Sequence, residues 1–248
     1  MLPKAFFKRP IAHRALHDRD KGRPENSLEA IDAAIAAGYG IEIDVQMSAD
    51  GAAFVFHDYD MSRLTGQSGA IQTRQTAEVN AIALLGGQTP APTLSNVLAR
   101  INGQVPLLIE IKDQDGAMGP QVGPLENEVA RALKDYQGHV AVMSFNPHSV
   151  AAFHAACPDL PRGLVSAGFD PFDWPTLPPA RAAELAQLSF DPSELDFISH
   201  DHTDLDAPRV DKAKAAGLPI FCWTIKSPEE EQRARRVADN VTFEGYLA

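Results

Sequence analysis

Apolar and polar residues alternate strictly along the run Ile41-Glu42-Ile43-Asp44-Val45-Gln46. A β-strand over this run places its apolar side chains on one face and its two carboxylates on the other. An Asp-Gly pair then predicts a turn, and a second apolar run that starts at Ala53 ends at His57. The segment therefore predicts two strands, the first carrying acids and the second leading to a histidine.

The rest of the chain alternates between short β-rich runs and runs of helical period. A first strand and its C-terminal end are predicted over 9–14, and the helix that follows begins at a cap, Asn26 or Ser27, and ends at Gly38. Further helices are predicted over 93–101, 125–136, 147–156, 178–188, 207–216 and 228–237. Further strands are predicted over 107–112, 140–145, 163–166, 197–199, 220–225 and 241–243.

Helices between short strands imply parallel pairing, and a closed (β/α)₈ TIM barrel accommodates this number of elements. The pattern gives one strand more than the eight of such a barrel. The connection from Asp44 to Ala53 is too short for a helical crossover, so one strand of that pair is predicted to be extra.

The length of the chain predicts a single domain over 1–248, because TIM barrels take roughly 250 residues. Two stretches lie outside the regular alternation and are predicted insertions. They are residues 61–92, rich in Gly, Thr, Gln and Ser, and a Pro-rich stretch over about 168–180.

Composition and charge limit the partners. The chain is 44% hydrophobic and 22% charged, with a formal net charge of −11. This charge argues against nucleic acid or an anionic membrane surface, since such binding needs clustered Lys and Arg. No run approaches the ~20 apolar residues of a membrane span, so we expect no integral membrane association. A local pocket can still bind a small phosphorylated ligand.

The cysteines and the N-terminus predict a cellular location. Cys157 and Cys222 have neither CxxC nor zinc spacing, which excludes a disulfide framework and a thiolate metal site. The first 15 residues lack the apolar run and cleavage site of a signal peptide. We therefore expect a cytoplasmic protein.

Acidic residues at the ends of two predicted strands are candidate metal ligands. In a parallel barrel, functional groups lie where strands end at the C-terminal face, and Glu42, Asp44 and Glu110 occupy such positions. Three carboxylates form an oxygen-only site that suits Mg²⁺ or Ca²⁺. The alternative interpretations are a solvated strand face for Glu42 and Asp44 and a buried ion pair between Glu110 and Lys112.

His13 and His57 are the candidate acid/base residues, because an imidazole titrates near neutrality and can move a proton. One histidine at a strand end is more often structural, but here two flank a carboxylate pair. His200, in a His-Asp-His sequence, is predicted to be structural, with lining of the pocket as the alternative. Four histidines in loops or on helices are predicted to be surface residues, namely His17, His139, His148 and His154.

Arg14 and Lys112 are cations close to the proposed acids and are candidate phosphate ligands. Trp223 shares a strand face with Phe221, and two interpretations stay open for it. It either packs in the barrel core or forms a wall of the pocket.

These motifs together resemble the glycerophosphodiester phosphodiesterases of the phospholipase C-like phosphodiesterase superfamily. The resemblance rests on His13-Arg14, Pro24-Glu25-Asn26-Ser27-Leu28-Glu29-Ala30, Glu42-x-Asp44, Asp50-Gly51 and Phe56-His57-Asp58. Later segments agree, namely Ile109-Glu110-Ile111-Lys112, Ser144-Phe145-Asn146-Pro147 and Cys222-Trp223-Thr224-Ile225.

The resemblance implies a TIM barrel that hydrolyses glycerophosphodiesters to sn-glycerol 3-phosphate and an alcohol with one divalent cation. By position, it implies metal ligands, acid/base histidines and phosphate contacts at the residues already named, and a less defined pocket role for Glu25. Two departures bear on substrate choice and rim geometry. Ala15 replaces the usual Gly after His-Arg, and Glu244-Gly245 stands where the family often has Asp and a following Pro.

Other hypotheses stay open beside this one. A lysophospholipase D-like enzyme would act on lysolipid head groups and would need an apolar rim, which Phe169, Phe172 and Trp174 could form. A catalytically silent barrel that binds phosphorylated ligands is disfavoured, because the metal and acid/base candidates are all present. The sequence leaves open the alcohol, the choice of ion, the oligomeric state and whether a cyclic phosphate forms.

Overall fold

The computed structural model describes residues 1–170, 172, 174, 177–188 and 190–248. The strands are β1 (Ile11–Ala12), β2 (Gly40–Met47), β3 (Ala53–Val55), β4 (Leu107–Ile111), β5 (Val140–Ser144), β6 (Arg162–Ser166), β7 (Phe197–Asp201), β8 (Ile220–Ile225) and β9 (Asn240–Phe243). The α-helices are α1 (Leu28–Ala37), α2 (Ser62–Thr65), α3 (Thr76–Val79), α4 (Leu94–Ile101), α5 (Pro124–Leu133), α6 (Pro147–Ala156), α7 (Pro179–Gln187), α8 (Pro208–Ala215) and α9 (Pro228–Ala234).

Eight parallel strands close into a ring in the order β1, β2, β4, β5, β6, β7, β8, β9, and β9 pairs with β1. The predicted TIM barrel is confirmed. The extra strand is β3, which runs antiparallel to the second half of β2 with Val45 opposite Val55. β3 therefore lies beyond the end of the two-residue strand β1 and places the segment after it at the C-terminal end of the barrel.

Local sequence signals explain the helix ends. Ser27 is the cap of α1, since its hydroxyl accepts a hydrogen bond from the Ala30 amide at 3.1 Å. Gly38 ends α1 in the left-handed conformation, with a φ of 71° that favours glycine. Thr93 caps α4 through a reciprocal pair of bonds with Asn96. These caps determine where α1 begins and ends and where α4 begins.

The apolar core has two main parts on either side of the strands. One lies between the barrel and the helices and includes Ile41, Ile43 and Val45. The other fills the amino-terminal half of the barrel and includes Phe197 and Phe221. Because side chains alternate along β2, burying its apolar residues outside turns its carboxylates toward the barrel interior.

The N-terminal segment closes the bottom of the barrel. Phe6, in the 3₁₀ turn Lys4–Phe7, is fully buried, with its ring centroid 6.4 Å from that of Phe221. The Asn240 amide donates to the carbonyl oxygens of Phe6 and Arg9 at 2.6 and 2.8 Å. The N-terminal segment is therefore a plug at this end of the barrel.

Phe6→Ala should destabilise the fold by about 3–5 kcal/mol, because it removes a buried ring and leaves a cavity that the barrel cannot close. Chemical denaturation of both proteins gives the free energies of unfolding. Phe7→Ala is the matched control, since Phe7 is 39% exposed. Equal losses for the two variants would show that Phe6 does not act as a plug.

The predicted insertion over 61–92 contains the short helices α2 and α3 and carries an apolar cluster of its own. Met61, Leu64, Ile71 and Val79 pack in this cluster against Phe54 of β3. The predicted insertion over 168–180 includes positions 171, 173, 175 and 176, which lie outside the described residues. Within the described ranges, no helix is both long enough and apolar enough to cross a bilayer.

Candidate active site

Strand register brings three carboxylates together at the C-terminal end of the barrel. Asp44 on β2 lies opposite Glu110 on β4, and Glu42 shares the inward face of β2. One oxygen from each of the three side chains lies within 4.8 Å of the other two, and all three residues are buried. The structure thus brings together the three residues predicted as metal ligands.

Lys112 lies among these acids. Its ammonium nitrogen is 2.8 Å from Asp44 Oδ1 and 2.6 Å from Glu110 Oε1. Burial lowers the pKa of Lys112, but Asp44 and Glu110 raise it further, so the net pKa is well above the ordinary value and the group is charged. The ion pair between Glu110 and Lys112 is therefore present, and it extends to Asp44.

The surroundings shift the pKa values of Glu42 and Asp44 in opposite directions. Burial, followed by the charges of Asp44 and Glu110, raises the pKa of Glu42 well above its ordinary value. Burial also raises the pKa of Asp44, but Lys112 and other nearby cationic groups more than reverse this, and its net pKa is well below the ordinary range. Even with Lys112 and Arg14 both nearby, three clustered carboxylates are one positive charge short.

Neighbouring backbone and amide groups fix the carboxylates in place. The Arg14 backbone amide donates to Glu42 Oε2 at 2.8 Å, and the Asn26 side chain donates to Asp44 Oδ2 at 2.9 Å. Asn26, one of the two predicted helix caps, therefore orients a site carboxylate, while Ser27 caps α1. A buried, oxygen-only and preoriented set with unbalanced negative charge fits a hard divalent cation.

His13 follows β1, and its partner comes from the other end of the chain. Ala12 lies opposite Phe243 in the pairing of β1 with β9, so His13 and Glu244 are neighbours just beyond it. His13 Nδ1 and Glu244 Oε2 are 2.7 Å apart. Burial lowers the pKa of His13, the hydrogen bond to Glu244 opposes this, and the net shift is downward.

His57 has a carboxylate partner too, its sequence neighbour Asp58. His57 Nδ1 and Asp58 Oδ1 are 2.7 Å apart. Arg63 on α2 binds Asp58 with its Nε at 2.6 Å, and its guanidinium also binds Glu25 at 2.7 Å. Glu25 in turn accepts a bond from Arg14 at 2.8 Å. Glu25 therefore links the cation beside His13 to the residues that hold His57.

Arg14 and Ala15 occupy the left-handed region, with φ values of 51° and 64°. This conformation explains why glycine is expected at position 15, since a Cβ there costs roughly 1–2 kcal/mol. The turn directs the Arg14 side chain toward the acids, with its Nε 3.6 Å from Asp44 Oδ2. Arg14 thus lies beside the carboxylates, as Lys112 does.

A cavity of about 90 Å³ joins these groups. Its polar lining includes His13, Arg14, Glu42, His57, Glu110 and Lys112. Trp223 forms part of its wall and packs edge-on against Phe145, with ring centroids 5.3 Å apart. The indole NH donates to the Ser199 carbonyl oxygen at 3.3 Å. Trp223 therefore both packs on the barrel interior and lines the cavity, which combines the two interpretations left open.

A groove of about 470 Å³ adjoins the cavity and shares His57, Glu110, Lys112, Phe145 and Trp223 with it. Trp174 lines this groove, and its ring centroid lies 4.9 Å from that of Phe145. Phe169 is buried in a cluster with Leu177 and Leu185, and the Phe172 side chain is 90% exposed. Of the three aromatic residues proposed as an apolar rim, Trp174 alone lines the groove.

Sequence reasoning assigned no catalytic contact to Glu244, Asp58 or Arg63. The Phe-His-Asp motif and the unusual residue at position 244 were the only signals, and Arg63 gave none. His17 was predicted to be a surface residue, which is wrong because it lies 3.5 Å from Glu244 and is 26% exposed. His200 is fully buried between Ser166 and Asp204 and does not line the cavity.

The chain is similar to known proteins over most of its length. The sequence model of the "Glycerophosphoryl diester phosphodiesterase family" matches residues 13–240. The chain is 28% identical over 226 residues to the Bacillus subtilis protein YhdW, covering 88% of this chain and 86% of that protein. It is also 28% identical over 232 residues to a glycerophosphodiester phosphodiesterase of Caldanaerobacter subterraneus subsp. tengcongensis, covering 90% and 88%.

The fold also matches solved structures. A phosphodiesterase of Oleispira antarctica, solved in complex with the product sn-glycerol-3-phosphate, superposes with a TM-score of 0.74. The two proteins are 26% identical, and the match covers 97% of this chain and 94% of that one.

Proposed function

The chain belongs to the glycerophosphoryl diester phosphodiesterase family, and from this membership we propose that it hydrolyses glycerophosphodiesters to sn-glycerol 3-phosphate and an alcohol, using one divalent cation and two histidines. It is a phosphoric diester hydrolase whose substrate is a small molecule. The proposal rests above all on one cavity, lined by two of the three converging carboxylates together with two cations and two imidazoles. The product complex of the Oleispira antarctica relative supports the glycerol phosphate half of the substrate.

Glu42, Asp44 and Glu110 would hold the cation, which we propose to be Mg²⁺ or Ca²⁺ because all three donors are carboxylate oxygens. When bound, the ion supplies a Lewis acid that polarises the phosphoryl group. Asn26 and the Arg14 amide keep two of the carboxylates oriented before the ion arrives. The orientation of these two carboxylates is therefore set by the protein itself, while Lys112 would give up part of its contacts with Asp44 and Glu110 to the ion.

Arg14 and Lys112 bind the non-bridging oxygens of the diester in this scheme. Both line the cavity, and both are charged at neutral pH, because nearby carboxylates raise the pKa of each despite burial. Their carboxylate partners also fix their positions, so substrate meets cations that are already oriented. Phosphoryl transfer depends mainly on such positioning and charge stabilisation.

His13 acts as the base in this scheme and His57 as the acid. The lowered pKa of His13, caused first by burial, keeps its imidazole neutral near neutral pH and able to accept a proton. His57 also lines the adjoining groove, where the alcohol can leave. The attacking oxygen belongs either to water or to the neighbouring glycerol hydroxyl, and a cyclic phosphate seen by ³¹P NMR would identify the second route.

Removal of divalent ions with EDTA should reduce hydrolysis of glycerophosphocholine by about 10²-fold or more, and Mg²⁺ or Ca²⁺ should restore it. Release of glycerol 3-phosphate measures the activity. The midpoint of thermal unfolding should also rise with ion concentration, since the ion binds the folded state. Full activity after chelation, with no such rise, would refute the proposed metal site.

A lysophospholipase D-like activity is the second candidate, and the groove lined by Met118, Phe145 and Trp174 favours it, since an acyl chain needs an apolar surface. The ratio of kcat/KM values for glycerophosphocholine and lysophosphatidylcholine separates the two. We expect the diester without an acyl chain to be hydrolysed faster. A cytoplasmic location and a role in lipid and glycerol metabolism stay predictions.

A further inference from the structure

Glu244 stands out because its carboxylate contacts His13, which lines the cavity, at the point where the last strand of the ring pairs with the first. We propose that Glu244 is a positioning residue that holds His13 in one tautomer, with the proton on Nδ1 and the lone pair of Nε2 available to the substrate. The inference rests on the proposed function, and it adds a residue that the acid/base scheme does not contain.

The backbone places the two side chains together. The His13 amide donates to the Phe243 carbonyl oxygen at 2.9 Å, and the Glu244 amide donates to the Ile225 carbonyl oxygen at 2.9 Å. His13 and Glu244 are therefore anchored separately to neighbouring strands. Their side chains meet at 2.7 Å between Nδ1 and Oε2, a length typical of a charge-assisted hydrogen bond.

Glu244 is an acceptor in this contact. The hydrogen bond with His13 and the nearby imidazole of His17, partly opposed by burial, lower the pKa of Glu244 well below its ordinary value, so the group is a carboxylate at neutral pH. A carboxylate has no proton to donate, so Nδ1 must carry the hydrogen. The other ring nitrogen of a neutral imidazole is then an acceptor.

Lys226 and His17 also lie close to the Glu244 carboxylate. Lys226 Nζ lies 3.1 Å from Oε1, and His17 Nε2 lies 3.5 Å from Oε2. These contacts leave the carboxylate few orientations other than the one that faces His13. His57 and Asp58 repeat the pattern on the opposite side of the cavity, with the same atom of the ring bound.

The C-terminal segment is held in place by contacts that do not involve the Glu244 side chain. Tyr39 donates to the Ala248 carbonyl oxygen at 2.5 Å, and Tyr246 donates to Glu231 at 2.8 Å. With the backbone bond to Ile225, these contacts fix the segment on both sides of Glu244. Loss of the Glu244 carboxylate should therefore affect His13 more than folding.

Steady-state kinetics of Glu244→Ala, Glu244→Gln and Glu244→Asp test the inference. Ala and Gln should each reduce kcat by about 10–100-fold, with KM within about 2-fold of wild type, because a wrong tautomer impairs chemistry rather than binding. Asp keeps the charge and should recover most of the kcat lost in the Ala variant. Tyr246→Phe is the matched control, since it removes a hydrogen bond to Glu231 in the same segment and leaves the contact between Glu244 and His13 in place, and it should retain wild-type kcat within about 3-fold.

The ring nitrogens of His13 give a second readout that is independent of activity. In ¹⁵N NMR spectra of the metal-loaded protein, His13 should be protonated at Nδ1 in the wild type and should lose this preference in Glu244→Ala. Wild-type kcat in the Ala and Gln variants, or an unchanged His13 tautomer in them, would overturn the inference. An inactive wild type that nevertheless shows the Nδ1-protonated His13 would refute the proposed function and leave the role of Glu244 standing.

Discussion

Alanine at His57 should reduce kcat on glycerophosphocholine by about 10²-fold or more and have little effect on the p-nitrophenyl ester of glycerol 3-phosphate. The reason is that p-nitrophenolate is a good leaving group that needs no proton, so the general acid becomes dispensable. His13→Ala should lose about 10²-fold or more on both substrates, since the attacking oxygen still needs a base. Rates of glycerol 3-phosphate release and of p-nitrophenolate release measure the two reactions.

His148→Ala is the control for this pair, because His148 is an exposed histidine at the start of α6 and lies outside the cavity. It should match wild type on both substrates. Circular dichroism and thermal unfolding should show that all three variants fold. Near wild-type turnover in either His13→Ala or His57→Ala would remove that histidine from the scheme, and a reversed leaving-group response would exchange their roles.

Asp44→Asn should reduce kcat by about 10³-fold or more, which is the largest loss expected for replacing one carboxylate. The substitution removes one negative charge from the group that holds the ion, and stabilisation by such an ion is worth several kcal/mol, with each 1.36 kcal/mol equal to a factor of ten in rate. Titration calorimetry with Mg²⁺ and Ca²⁺ should show weaker ion binding in parallel. Excess ion should recover part of the activity.

Asp113→Asn is the matched control for the metal-site variant. Asp113 is another buried acid near this end of the barrel, and it binds the Met118 amide and the Asn146 side chain at 3.0 and 2.8 Å. Its replacement should leave the affinity for the ion unchanged. If Asp44→Asn kept wild-type activity and ion affinity, the three carboxylates would be an ion-pair network around Lys112 rather than a metal site.

The sequence determined much of this arrangement because strand geometry has a short period. Once Ile41, Ile43 and Val45 are buried against the helices, Glu42 and Asp44 have to face the barrel interior. The same rule puts Glu110 on the inward face of β4. The helix end at Gly38 likewise depends on local bonds and could be predicted from the sequence, whereas the choice between Asn26 and Ser27 as the helix cap needed the structure.

Other features depended on how distant segments meet. His13 and Glu244 are 231 residues apart, and they become neighbours only when the last strand closes the ring against the first. Arg63 reaches Glu25 and Asp58 because the segment after β3 folds back over the rim. His17 was mistaken for a surface residue for the same reason, since its neighbour in space is at the other end of the chain.

The sequence by itself therefore determined the barrel, the inward-facing acids and the histidines at the strand ends, because these follow from periodicity and local hydrogen bonding. Only the tertiary structure decided which carboxylate holds which histidine, where Lys112 lies among the acids and how the groove meets the cavity. Those contacts are set by ring closure and by the path of long loops. Neither has a local signature in the order of the residues.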